Sequence, residues 1–418
     1  MSMAVNRFRV ESALMRSAVV ALTVLTLTLI GSPELAAQQE GSDVSTQSAD
    51  DDTAQKKKKK KEKKQKAEGE EKKGPSLLPV PIFITEPAIG YGLGAAVGYF
   101  HKKNGVDASD QRLPPGMTAT SASDTGKSKK QPPTISGIAA GYTDKGSWGA
   151  GVGHFGNWAK DTIRYRGALG YVNIESEFWF LNRPFEFNVK GGLLFQDINF
   201  RMGKSDFWLG GRLIYVNTDL KFKRDLPGDL PEIESRGRNI QDLGLAFQAI
   251  YEGLDNLTTP NTGQYVELLT YKYFESSISD FDYFKAGFRV LSFHQFAKDK
   301  LVLGLRFDID AVDGDPPLWG YPWITLRGVP ALRYQNEQTG VVEAELRWNI
   351  LEKWALLGFA GAGRTRGDTR RYPDESGIYA GGIGARYLFR PQDDLWVGID
   401  LARGPEDYVF YIQVGHAW

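Results

Sequence analysis

From Leu77 onward the chain is written with a period of two, and that constrains its fold more than any other feature. In residues 299–313, Leu301, Leu303, Leu305, Phe307 and Ile309 share one side, with Arg306, Asp308 and Asp310 opposite. In 340–350, Val342, Ala344, Leu346, Trp348 and Ile350 oppose Glu343, Glu345, Arg347 and Asn349. In 394–403, Leu395, Val397, Ile399 and Leu401 oppose Trp396, Gly398, Asp400 and Ala402. Successive side chains of a strand point to opposite faces, so each segment reads as a strand with one apolar and one polar face. The pattern predicts about sixteen strands and no amphipathic helix. Their approximate bounds are 77–86, 89–101, 134–143, 146–157, 161–180, 184–201, 205–222, 237–252, 262–275, 281–298, 299–313, 340–350, 353–366, 377–390, 394–403 and 407–418.

The last of these segments alternates down to a terminal aromatic. Tyr408, Phe410, Ile412, Val414, His416 and Trp418 share one broad, mostly apolar side. Membrane barrels end in such a strand, which closes the wall and sets its aromatic at the membrane interface. A soluble sandwich would show the same periodicity with its apolar face buried, so periodicity alone does not decide between them.

The N-terminus separates the two. Residues 1–37 read as a secretory signal, with Arg7, Arg9 and Arg16 ahead of an apolar run from Ser17 to Ile30. Leu35-Ala36-Ala37 makes a small-residue cleavage site before Gln38. A run of that length is short for a retained membrane anchor. Residues 38–76 are polar, with a lysine run at Lys56–Lys61 and no aromatic residue, too little apolar surface to fold. They read as a disordered periplasmic linker, or as a cationic tether to cell wall or anionic lipid. The sequence has no Cys and a negative mean hydropathy, which excludes a disulfide scaffold and a polytopic helical membrane protein. Lys and Arg number 37 against 40 Asp and Glu after residue 76, so nothing points to nucleic acid. The expectation is therefore a signal peptide (1–37), a linker (38–76) and an all-β, 16-stranded antiparallel transmembrane barrel (77–418). It would sit in the bacterial outer membrane among outer-membrane lipid.

Parity gives each connection a side, because both ends of such a barrel are periplasmic. Lys298-Asp299-Lys300, Leu351-Glu352 and Arg390 to Asp394 become tight periplasmic turns. Residues 223–236 and 314–339 become extracellular loops, and 104–133 an unusually long periplasmic connection. The first strand carries Pro79 and Pro81 two apart, so their missing N–H groups fall on one edge. If that edge faces the last strand, the closing seam is short of hydrogen bonds.

Three motifs stand out. Asp255-Asn256-Leu257-Thr258-Thr259-Pro260-Asn261-Thr262-Gly263, with Glu267 after it, carries the chemistry of a compact reversal. Leu326-Arg327-Gly328 lies in the sixth extracellular loop. Phe359, Gly361 and Gly363 form a small-residue stretch of wall in strand thirteen, where a bulky loop can approach. In this order the motifs resemble the BamA/TamA superfamily of outer-membrane barrels, the bacterial surface antigen family, over residues 77–418. The resemblance implies that the loop folds into the lumen with Arg327 at its tip and Gly328 beside it, and that Glu345 is the strand-twelve acid.

The chain departs from that family in three places. Val329 stands where an aromatic follows Arg-Gly, and Gly361 stands where strand thirteen carries an Asp. The arginine thus needs another acid, with Glu345 and Glu343 first by lumen-facing parity and Asp308, Asp310 and Asp400 behind them. The 39 residues between Ala37 and Leu77 are too few for even one POTRA domain, the periplasmic unit of members that assemble or translocate proteins.

The four histidines are scattered, and no metal-spaced cluster or phosphate-binding glycine loop is present, so neither catalysis nor a cofactor or metal is expected. The resemblance implies a part in outer-membrane biogenesis, inserting or translocating barrel-protein or lipid cargo. Two other readings remain: a passive pore plugged by the sixth loop, and a surface antigen tethered to the cell wall through the lysine run.

Overall fold

A computed structural model describes residues 76–418, except 87, 102–133, 181–182, 223–237, 257–258, 298–299, 369–373 and 391–394. The expected signal, almost all of the linker, the 104–133 connection, the 223–236 loop and the core of two periplasmic turns lie outside those residues. Sixteen strands follow one another in a single antiparallel sheet, each paired with its sequence neighbour. They are β1 (Ser76–Glu86), β2 (Gly90–Phe100), β3 (Ile135–Thr143), β4 (Trp148–Trp158), β5 (Ile163–Phe180), β6 (Arg183–Arg201), β7 (Phe207–Phe222) and β8 (Arg238–Glu252). Then come β9 (Gly263–Tyr273), β10 (Tyr283–Phe296), β11 (Leu301–Gly314), β12 (Gln338–Leu351), β13 (Trp354–Arg366), β14 (Ser376–Arg390), β15 (Leu395–Arg403) and β16 (Tyr408–Val414). A short 3₁₀ turn, Leu318–Gly320, lies in the loop between β11 and β12.

The two faces divide as the alternation requires. Leu305, Phe307, Ile309, Val342, Leu346, Trp348, Ile399, Leu401, Phe410 and Ile412 are exposed on the outer wall, while Arg306, Asp308, Glu343, Glu345, Arg347 and Asp400 are buried inside. An apolar exterior around a charged interior is the arrangement of a barrel in lipid. A soluble sandwich would reverse it.

β1 and β16 are neighbours, yet among the described residues no ladder joins them. The Asp144 N–H donates to the Tyr91 carbonyl, so odd-numbered residues of β2 turn their backbone groups toward β3. Even-numbered residues of β2 then bond even-numbered partners on β1, as in Val80 opposite Ala96. The odd positions of β1, Pro79 and Pro81 among them, therefore aim at the seam. The wall is also low there. β16 has 7 residues and β15 has 9, against 18 and 19 in β5 and β6. At about 3.3 Å per residue, β16 runs roughly 23 Å before any tilt, less than the hydrocarbon thickness of a bilayer.

The terminal strand departs from the expectation that it would reach Trp418. It stops at Val414, where Gly415 takes a positive φ of 78° and its N–H donates to the Trp396 carbonyl at 2.8 Å. The left-handed turn reverses the side on which later residues fall. His416 and Trp418 thus line the lumen, and Trp418 packs beside Phe293 with Leu254, Leu291 and Val302, not at the membrane interface.

Candidate functional site

The loop between β11 and β12 packs against the inner wall. Leu326 and Ile324 are buried with Val329, Val341, Ile378 and Ala380. Both rest on the wall where glycines leave room: a Cβ at Gly361 would lie 2.5 Å from Leu326 Cδ2, and one at Gly363 would lie 2.7 Å from Ile324 Cγ2. Gly328 turns the chain at φ 94°, and its backbone approaches Gly404 in the β15–β16 hairpin so closely that neither residue has space for a side chain.

Arg327 is buried between these contacts. Its Nε donates to Glu343 Oε1 at 2.8 Å and its Nη1 to Asp400 Oδ2 at 3.1 Å. Glu345 Oε2 lies 2.7 Å from Nη1 but off the N–H direction, a charge contact without a hydrogen bond. The Phe359 ring stacks under the guanidinium, 3.5 Å from its centroid. Burial opposes the charge on Arg327, and Glu345, Glu343 and Asp400 more than reverse that effect, so its pKa stands above the ordinary arginine value.

The remaining expected acids take other partners. Asp308 is held by Arg289 at 2.8 and 2.9 Å and by Arg306. Asp310 lines the cavity beside Gly287. Asp400 also pairs with Arg386 on β14. Arg289, Arg306, Arg327 and Arg386 thus stand against Asp308, Glu343, Glu345 and Asp400, four cations facing four anions. A buried charge persists only when it is compensated, and each of these has an opposite charge beside it. The lumen-facing parity of Arg306 was visible in the alternation, whereas its assignment to particular acids was not.

Further contacts were not legible in the motifs. The Trp418 indole donates to Glu343 Oε2 at 2.8 Å, tying the C-terminus into the arginine network. Trp319 donates to Asp242 Oδ2 on β8 at 3.2 Å, anchoring the loop to the far wall. The loop also touches both edges of the seam, since the Gly328 N–H donates to the Tyr411 hydroxyl on β16 and the Ala331 N–H to Glu86 Oε1 on β1. Arg333 and Tyr334 reach Glu406 in the β15–β16 hairpin. The Tyr334 hydroxyl is pushed up by burial and by that carboxylate.

The Asp255–Gly263 motif, of which residues 257–258 lie outside those described, joins β8 to β9. Asp255 Oδ1 accepts the N–H groups of Asn256, Asn261 and Thr262, which fixes the reversal. Arg347, reaching in from β12, donates to the Pro260 carbonyl at 3.3 Å and to Asn261 Oδ1. The inner wall also lines a cavity of about 490 Å³, bordered in part by Arg212, Glu267, Tyr271, Arg289 and Trp418. Among the described residues no group of three metal-ligating side chains converges. On the outer wall, Phe410 and Ile412 face out as their strand requires, and Val414 is the last strand residue.

No family model matches the chain, and no curated protein matches it. Among solved structures, the barrel is similar to that of BamA from Haemophilus ducreyi lacking POTRA domains 1–3. The two align at a TM-score of 0.52 and 11% identity, over 81% of this chain and 69% of that one. It is also similar to CdiB from Acinetobacter baumannii (TM-score 0.50, 9% identity, 81% of this chain and 59% of that one). CdiB from Escherichia coli aligns at a TM-score of 0.52 and 10% identity, over 82% of this chain and 62% of that one. The chain spans less than two thirds of either CdiB chain. At these identities the likeness is one of fold: an all-β outer-membrane barrel of sixteen strands, which implies the bacterial outer membrane.

Proposed function

We propose that this barrel works in outer-membrane biogenesis, easing the insertion of barrel proteins or the movement of lipid at the edge between β1 and β16. One observation carries the reading: neighbouring edge strands share no ladder among the described residues, and Pro79 and Pro81 withhold N–H groups from that edge. The short β15 and β16 lower the wall at the same place, so adjoining lipid has to thin to match it. The loop that touches both edges would hold the seam shut at rest. Comparison of outer-membrane proteomes from a deletion strain and its parent tests the role. A broad loss of other barrel proteins, or phospholipid displaced into the outer leaflet, supports it. An unchanged membrane contradicts it.

A plugged pore is the second reading, favoured by the cavity of about 490 Å³ on the inner wall. Single-channel conductance of a variant lacking residues 318–335 separates the two. A pore opens strongly on losing its plug, whereas a barrel that works at its edge gains little.

A further inference from the structure

Two imidazoles stand on the outer wall at the periplasmic rim, joined by one hydroxyl. Ser136 Oγ lies 2.8 Å from His101 Nε2 and 2.8 Å from His154 Nδ1. All three face lipid. Ser136 has the parity of exposed Ile138 on β3, His154 that of Val152 on β4, and His101 follows Val97 and Tyr99 beyond the end of β2. The rings lie 5.6 Å apart, flanked by Tyr99 on one side and by the stacked Trp158–Tyr165 pair on the other. Aromatic belts of this kind mark the head-group level of a bilayer.

The chemistry follows from counting protons. A hydroxyl donates one hydrogen, so one imidazole accepts from Ser136 and the other donates to it. With both rings neutral, the two outward nitrogens, His101 Nδ1 and His154 Nε2, are one donor and one acceptor. One added proton turns both into donors beside a single positive charge. No protein partner is seen for either nitrogen among the described residues. We propose that this cluster binds the phosphodiester of a phospholipid in the periplasmic leaflet, with the imidazolium countering its single charge and the aromatic belt bedding its glycerol and upper acyl chains.

The neighbouring elements leave that charge free to act. Asp161 in the β4–β5 turn is committed to Arg164, Tyr165 donates to Gln196, Tyr99 packs edge-on to His101, and Lys160 in the turn adds a cation. The arrangement does not suit hydrolysis. Both imidazoles bond the same Oγ, so no third group orients either one as a base. The binding reading concerns the outer wall and stands apart from the role assigned to the seam.

The test is native mass spectrometry of the full chain in neutral detergent, titrated with phosphatidylglycerol near pH 5.5 and near pH 8, on either side of the usual histidine pKa. Retention of one lipid, roughly tenfold tighter at the lower pH, is expected. The double variant His101→Gln, His154→Gln should lose that pH dependence while keeping the heat-modifiable migration of a folded barrel. An unchanged pH profile in the double variant would overturn the proposal. Inorganic phosphate binding as tightly as the lipid would overturn the assignment to a phospholipid.

Discussion

At the residue scale, the balance of the lumen network decides what each substitution does. Arg327→Ala leaves Glu343, Glu345 and Asp400 with one cation fewer in a shielded space, a loss of about 3–5 kcal/mol for a buried pair. The expected result is a lower unfolding temperature and a protease-sensitive loop, with Arg327→Lys falling between, since a single ammonium cannot reproduce the guanidinium fork. Gly361→Asp is the sharper case. It restores the acid that the resembled family carries at this position, yet its side chain would run into Leu326, so it should destabilise by about 1–3 kcal/mol. A melting temperature at or above that of the parent would contradict this. Gly361 also marks how far the sequence could be read. The missing acid was legible, and so was the need for a replacement. That Asp400 from β15 fills the role depends on which inward-facing side chain lies nearest across the lumen, which no local pattern encodes.

At the element scale, the alternation located every strand to within about two residues at almost every end, because a barrel strand must present its period to lipid along its whole length. The terminal strand is the exception. Phe410 and Ile412 keep the period, and Val414, His416 and Trp418 continue it on paper. A single positive φ at Gly415 then sends His416 and Trp418 inward. A glycine two residues after Gln413 offers that freedom without announcing it. The Asp255–Gly263 turn was legible as a turn but not as one held from the inner wall, since its anchor, Arg347, is 86 residues from Asn261 in sequence. Arg347→Ala should release the turn without unfolding the wall. Faster hydrogen exchange across residues 254–262, with β8 and β9 still protected, would show it. Uniform protection would mean the turn stands without its anchor.

At the scale of the whole molecule, the barrel is a wall of uneven height with one unlaced edge. The tall side, β5 to β8, rises beyond the apolar belt, and its inner face packs with Ala88, Ile89, Trp319 and Leu332 into a hydrophobic cap. The low side meets at β1 and β16, where the loop touches both edges, through Glu86 and Tyr411. Loop docking and seam closure should therefore move together, so deleting residues 318–335 should raise the rate at which the seam parts. The chain has no cysteine, which makes the central claim directly testable. One cysteine introduced within Val80–Ile84 and one within Val409–Ile412, oxidised in cells, would lock the edge with a reducible bond. The account predicts that the locked barrel fails to support the outer membrane and recovers on adding reductant. A locked barrel that performs as well as the parent would contradict it.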